Sequence, residues 1–511
     1  MGAVLPIEVL AALALASAAC LSAKLNHDAA WCLAAAQRLV AGERMYVDIL
    51  EVNPPLVFWL LTGPAWLGRA LGIPAAPTAY ALHVVLLIGA TLVAARVLAL
   101  APAPERWIRS GVLCAFLFLA TAPAIGDLGQ RDLMAAILLL PYVLLAGRTA
   151  AGLPAPRSVA ILCGLLAAVG VALKPYFVLP WLAVELVILF RRGSLRALWR
   201  VDSVLVALGQ GVYAALVLAL APEYLSRIVP LAAATYGALG VSRLQLLTMW
   251  TALGLWLCGL GALAARRMLP GPLPLPATET LLAAALGFWA SYVLQGKGFG
   301  YHLRPVAVYA PLGLFVVTLG ALRLFVQSRG GEPGQRRRAV RVVFVSAVSA
   351  SVFGLFLAKE LHGAYRWLHE GYPPEVLVLV EAAKAAGEGA PIYELSTSEW
   401  PAFPAVNLSG ARWPYHFNHL WPLPAFYRGA SDGAYHAPDA QGEIERTLFE
   451  TVVADLVATP PRILIVDREP YAMPDHFDLV TYFSASPAFR ELLRGYRSAG
   501  RVGAFELFEP R

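Results

Sequence analysis

Apolar residues run in blocks of about 15 to 25 along this chain, separated by short stretches rich in Arg, Gly and Pro. Such a block is long enough to cross a bilayer as a helix. The pattern predicts about eleven spans, over 5–23, 78–100, 111–125, 133–147, 158–173, 176–190, 202–221, 244–265, 279–294, 305–326 and 340–358. The first block has no basic segment before it and is read as a retained span, not a cleaved leader. With the N-terminus on the cytoplasmic side, the Arg-rich connections fall on that side, as the positive-inside rule requires. They carry Arg106/Arg109, Arg148/Arg157, Arg191/Arg192/Arg196/Arg200, Arg266/Arg267 and Arg329/Arg336/Arg337/Arg338/Arg341. Lys24 then lies outside. The Pro- and Gly-broken stretch 54–72 cannot be a twelfth span without inverting every Arg cluster, so it is expected to lie on the outer interface.

After Lys359 the pattern changes to mixed polar sequence. Helical periodicity over 375–388, 441–458 and 487–498 alternates with short β-rich runs at 391–395, 462–467 and 502–508. This predicts a small α/β domain. The expected organisation is a transmembrane domain over 1–359, with a first outer loop at 26–77, and a C-terminal extracytoplasmic α/β domain over 360–511. The fold class is a polytopic α-helical membrane protein carrying that extra domain.

Composition agrees. Of 511 residues, 59% are hydrophobic and 14% charged, about half the charged share usual for soluble domains, and the mean hydropathy is +0.64. A soluble multidomain enzyme is excluded. The net charge of +7 follows from the Arg clusters between spans, so it points to topology and not to nucleic acid. Five Cys without a C-x-x-C pair give neither a disulfide framework nor a zinc site. Only five of the 40 basic residues are Lys, and two of these, Lys174 and Lys297, sit at the ends of outer loops.

The outer loops hold most of the unusual chemistry. Loop one supplies His27, Asp28, Trp31, Tyr46, Asp48, Glu51 and the turn Asn53-Pro54-Pro55; loop two packs Asp127, Gln130, Arg131 and Asp132 into six positions. Lys174 opens the "LKPYF" turn, and "LQGKGFGYHLRPV" adds Gln295, Lys297, Tyr301, His302 and Arg304. Acidic groups at the end of a span are costly unless they face water or a partner. Asp28 either caps the helix that follows it or serves as a catalytic carboxylate. A lysine ammonium is a compact charge suited to phosphate, although a snorkelling role is open to both lysines. A carboxylate beside several cations is what transfer from a phosphate-linked donor needs. The carboxylate takes the proton of an attacking hydroxyl, and the cations stabilise the departing phosphate.

The order of His27-Asp28, Trp31, Leu39, Gly42, Tyr46-x-Asp48 and Asn53-Pro54-Pro55-Leu56 after a first span resembles the C-type (GT-C) membrane glycosyltransferases. The likeness is to the bacterial branch related to protein O-mannosyltransferases, the aminoarabinose transferase acting on lipid A, and the Rhizobium lipopolysaccharide-core transferases. It covers about residues 1–360. It implies a polyprenyl-phosphate sugar donor, inverting transfer at the periplasmic face of the bacterial inner membrane, a glycan, lipid or protein acceptor, and a catalytic carboxylate at Asp28. Relatives often carry Asp-Glu where this chain has Asp28-Ala29, so a second carboxylate would come from Asp48, Glu51 or Asp127. Where the family's Pro-Pro-Leu often follows Lys, Asn53 stands, so the phosphate contact would pass to Arg131, Lys174 or Lys297, with His302 and Arg304 beside them. His27, Trp31, Tyr46, Gln130 and Tyr301 are candidate substrate contacts. No cofactor is expected, and no divalent-metal site has ligand spacing to support it. In the tail, Trp400, Trp413, His416, His419 and Trp421 form an aromatic loop that suits either sugar rings or internal packing. The competing function is a transporter or flippase, or a non-catalytic binder, of a lipid-linked saccharide. A transporter should place ionisable groups near the bilayer midplane and often shows repeated halves, and neither pattern is visible.

Overall fold

The computed structural model describes residues 5–100, 106–269, 275–327, 333–428 and 435–511; Arg329, of the expected Arg-rich loop, lies outside them. The chain is mainly helical, and each of the eleven apolar blocks falls on a helix. In chain order the long helices are α1 (Ile7–Ser22), α2 (His27–Val40), α3 (Leu56–Leu71), α4 (Ala75–Ala99), α5 (Arg106–Thr121), α6 (Arg131–Ala150), α7 (Arg157–Ala172), α8 (Val178–Arg192) and α9 (Val201–Leu220). They continue with the short α10 (Val229–Thr235) and α11 (Arg243–Thr248), then α12 (Trp250–Met268), α13 (Thr278–Gln295), α14 (Arg304–Gln327) and α15 (Pro333–His369). Among the described residues, six helical segments are long and apolar enough to cross a membrane by length and composition, and α3 and α7 are shorter apolar helices. This is a membrane protein. The blocks at 5–23, 158–173, 176–190, 244–265 and 279–294 are helical but are not among those six.

The chain divides into two compact units. The first gathers Met1–Ala23, Tyr80–Ala215 and Val241–His369. Its axis is α6, in which every residue from Arg131 to Arg148 is buried. Polar side chains lock the neighbouring helices to it: Tyr309 on α14 donates to the Ala136 carbonyl at 2.8 Å, and Thr280 on α13 donates to the Val143 carbonyl at 2.9 Å. Small residues bring backbones together. A Cβ on Gly287 would lie 2.3 Å from Pro180 Cα of α8, and one on Gly147 would lie 2.2 Å from the Pro276 oxygen. Close approach at small residues is how helices associate where lipid removes the hydrophobic drive between them. Apolar side chains on α9 and α15 such as Leu208, Val212, Phe344 and Leu355 are instead exposed, as expected of faces that meet acyl chains.

The second unit joins Lys24–Ala79, Leu216–Gly240 and Glu370–Arg511. The first outer loop thus falls in one compact unit with the tail. Lys24 donates to the Glu370 and Gly371 carbonyls (2.9 and 3.1 Å), the Leu25 amide donates to the Tyr372 hydroxyl, and the Leu50 amide donates to the His416 carbonyl at 2.8 Å. The tail holds a four-stranded sheet of β1 (Ile392–Leu395), β2 (Ile463–Asp467), β3 (Tyr496–Val502) and β4 (Phe505–Pro510), in the order β1-β2-β4-β3. β1 and β2 are parallel, and β4 runs antiparallel to both β2 and β3. α16 (Pro374–Ala385), α17 (Ala402–Ser409), α18 (Pro424–Tyr427), α19 (Glu443–Ala458), α20 (Leu479–Phe483) and α21 (Pro487–Arg494) accompany it. β3 departs from the expected pattern. The helix over 487–498 ends at Arg494, and the polar stretch after it is an edge strand, exposed from Arg497 to Arg501, whose sequence lacks alternation because neither face is buried.

Candidate functional site

In the second unit, α2 is capped by Asn26, whose Oδ1 accepts the Ala29 amide at 2.8 Å. Asp28 is therefore not the cap. It stands in the first helical turn, about a quarter exposed, with its carboxylate 3.2 Å from His27 Nε2. A negative charge at a helix N-terminus is favoured by the peptide dipoles, and the position leaves the side chain partly exposed.

Around Asp28 the loop is braced by its other polar residues. Trp31 Nε1 donates to Glu51 Oε2 at 2.5 Å, and Glu51 Oε1 accepts from the Asn53 amide and side chain at 2.9 and 2.6 Å. Tyr46, at a left-handed φ of 67°, donates its hydroxyl to the Asn53 carbonyl. Trp31 and Tyr46, candidate substrate contacts, are both buried, Trp31 packing edge-on against Phe403 and Tyr46 against Tyr224. Glu51 is buried in the same brace, and Asp48 accepts the Arg44 amide at the turn.

Residues that sequence reasoning took for tail chemistry border Asp28. α17 packs on α2, and Asn407 donates to the Ala30 carbonyl at 3.1 Å. His419 lies within electrostatic reach of both Asp28 and His27. Burial pulls its imidazole down to about 3, against the opposing charge of Asp28, so it is neutral at physiological pH. Its Nδ1 lies 3.5 Å from Glu399 Oε1, which also accepts from Asn418 Nδ2 at 2.6 Å. Neither Glu399 nor Asn418 was singled out from sequence; residues 399 and 419 are separated from residue 28 by the length of the chain, and no local pattern joins them. His416 faces elsewhere. Its Nδ1 bonds Asp455 at 2.7 Å, which raises its pKa.

The first unit gathers most of the remaining candidates. Lys174 Nζ donates to Asp132 Oδ2 at 2.6 Å and to Gln295 Oε1 at 3.1 Å, and stands over the rings of Tyr301 (5.5 Å) and Phe177 (5.8 Å). Three sequence blocks, at 127–132, 173–177 and 295–305, thus meet at the ends of α6, α8 and α13. Arg131 and His302 lie within electrostatic reach of Asp132. Gln130, Arg131, Asp132, Lys174, Lys297 and His302 are all buried. The Lys297 loop turns through left-handed Gly296 and Gly298, a conformation that glycine adopts without a Cβ penalty. Arg304 is held between Asp127 and Glu360, the latter at 2.6 Å, so Asp127 and Arg304 brace each other. Among the described residues, no group of three or more His, Cys, Asp or Glu side chains converges as a metal site.

No family model matches the chain, and no curated protein matches it. Among solved structures it is similar to ArnT from Cupriavidus metallidurans bound to undecaprenyl phosphate, at 14% identity and a TM-score of 0.57, covering 98% of this chain and 97% of that one. The arabinofuranosyltransferase AftD from Mycobacteria is matched at 13% identity and a TM-score of 0.46, over 98% of this chain and 40% of that chain. The chain therefore shares its fold with ArnT over nearly its full length.

Proposed function

We propose that this protein is a glycosyltransferase that moves a sugar from a polyprenyl-phosphate donor to an acceptor hydroxyl, with inversion, at the periplasmic face of the bacterial inner membrane. Its product would belong to the cell envelope, such as a modified lipopolysaccharide. The observation that carries the reading is the buried Lys174–Asp132 cluster, drawn from three sequence blocks in a fold shared with a protein solved with undecaprenyl phosphate bound. The topology that goes with it has eleven spans, the N-terminus in the cytoplasm, and the tail outside with the first loop.

In this reading Asp28 takes the proton of the acceptor hydroxyl as its oxygen attacks the anomeric carbon. The new C–O bond forms as the bond from that carbon to the phosphate oxygen breaks on the opposite face, and polyprenyl phosphate departs with the bonding pair. General-base assistance of this kind contributes about 10² to 10⁴ in rate. Lys174, Arg131, Lys297 and His302 meet the phosphate charge, stabilising it as it grows. Asp132 holds the Lys174 ammonium in place, and Gln130, Tyr301 and His27 are left as polar contacts for donor or acceptor. Neutral His419 lies within electrostatic reach of Asp28, and Glu399 beside His419 offers a second carboxylate in place of the one residue 29 lacks.

Donor binding separates the two sets of residues. With full-length protein in nanodiscs, Lys174→Gln should weaken polyprenyl-phosphate binding about tenfold or more, while Asp28→Asn should leave it near wild type. Equal affinity for wild type and Lys174→Gln would remove the phosphate assignment.

A further inference from the structure

A second basic site lies in the first unit, apart from the Lys174 cluster. A cavity of about 400 Å³ opens between the end of α6 and the α8–α9 connection, lined by Gly152, Pro154, Ser194 and three arginines, Arg192, Arg196 and Arg200. Arg200 is held by Glu185 and Asp202 at 2.8 and 3.1 Å. Arg192 and Arg196 are exposed and have no carboxylate partner among the described residues. Arg192 lies across Gly152, where a Cβ would fall 2.7 Å from its Nη1. Behind the wall, buried Arg148 donates Nη2 to the Pro154 carbonyl at 2.9 Å, while its Nε and Nη1 have no hydrogen-bond partner. A buried guanidinium with two unsatisfied positions is costly unless a counter-charge lies close by.

The segment that carries these arginines also exposes large apolar side chains. Phe190, Leu195 and Trp199 are 81%, 68% and 81% exposed. Aromatic side chains at the ends of apolar helices mark the headgroup level of a bilayer. An arginine-lined cavity on a segment that also exposes apolar side chains has the two halves of a phospholipid's chemistry. Guanidinium forks meet a phosphodiester, and the apolar side chains of the segment meet the first carbons of its chains.

We propose that this cavity binds the headgroup of an anionic membrane phospholipid, with Arg192 and Arg196 on the phosphate and Arg148 supplying charge from behind. Basic pockets between helices at a membrane face are where anionic headgroups are recognised. The site is independent of the glycosyl-transfer reading.

The test is native mass spectrometry of the purified full chain titrated with phosphatidylglycerol or phosphatidylcholine of matched chains. Phosphatidylglycerol should be retained about tenfold more tightly, and Arg192→Ala/Arg196→Ala should abolish that preference. Both residues are exposed, and an unchanged melting temperature would show the fold intact. The exposed pair Arg337→Ala/Arg338→Ala serves as a control and should keep the preference. Equal retention of the two lipids, an equal loss in the control pair, or displacement of phosphatidylglycerol by millimolar inorganic phosphate would each overturn the proposal. The last would mark a free-anion site.

Discussion

At the scale of single residues, buried charge governs what can be changed. Lys174 and Asp132 are 7% and 1% exposed as side chains and share a 2.6 Å ion pair. Removing one partner of such a pair leaves an uncompensated charge and costs about 3 to 5 kcal/mol. Lys174→Gln should therefore melt well below wild type, and Lys174→Gln/Asp132→Asn should recover much of that loss while still binding donor poorly. In the tail, burial and the neighbouring Asp467 hold the Glu394 carboxyl well above its ordinary range. A carboxyl with a raised folded pKa contributes stability fully below its unfolded value near 4.5 and loses it as pH rises through the folded value. Glu394→Gln should match wild type at pH 4 and exceed it by a margin that widens toward pH 8, read from thermal melts. His419 works with the opposite sign. Its folded pKa of about 3 lies below the ordinary 6.5, so stability falls as pH drops between the two values, and His419→Gln should flatten that fall. Asp28 and Lys174 are candidates from the sequence because a carboxylate at the end of a span and a rare lysine each stand out against their surroundings. The sequence left the Asp28 cap open, and Asn26 resolves it, since the side chain that reaches Ala29 depends on where the helix begins.

At the scale of elements, hydrophobic blocks located the helices well because apolar length alone decides whether a segment can span. They located the edge strand β3 poorly, because a strand exposed on both sides has no alternation to read. Packing between helices depends on single small residues that composition does not flag. Gly287 sits where a Cβ would meet the backbone of Pro180 at 2.3 to 2.6 Å. Gly287→Ala should force α13 away from α8 and cost about 1 to 3 kcal/mol, measurable as a lower melting temperature in detergent. Gly89, with open space around its would-be Cβ, should accept Ala without that loss.

At the scale of the molecule, the tail forms one compact unit with the first loop and the 216–240 segment. The contacts that make it so, such as Lys24 with Glu370 and Arg38 with the Tyr415 carbonyl, join residues hundreds of positions apart. Pairings of that range leave no trace in periodicity. They give the tail a stated part in the proposed chemistry, through His419 within electrostatic reach of Asp28 and Glu399 beside His419. The central claim is turnover of a lipid-linked sugar by Asp28. Purified full-length protein incubated with a panel of polyprenyl-phosphate sugars and candidate acceptors should consume one donor and release polyprenyl phosphate, and Asp28→Asn should slow that release about 10²-fold or more at unchanged donor affinity. Release by Asp28→Asn at the wild-type rate would contradict the account.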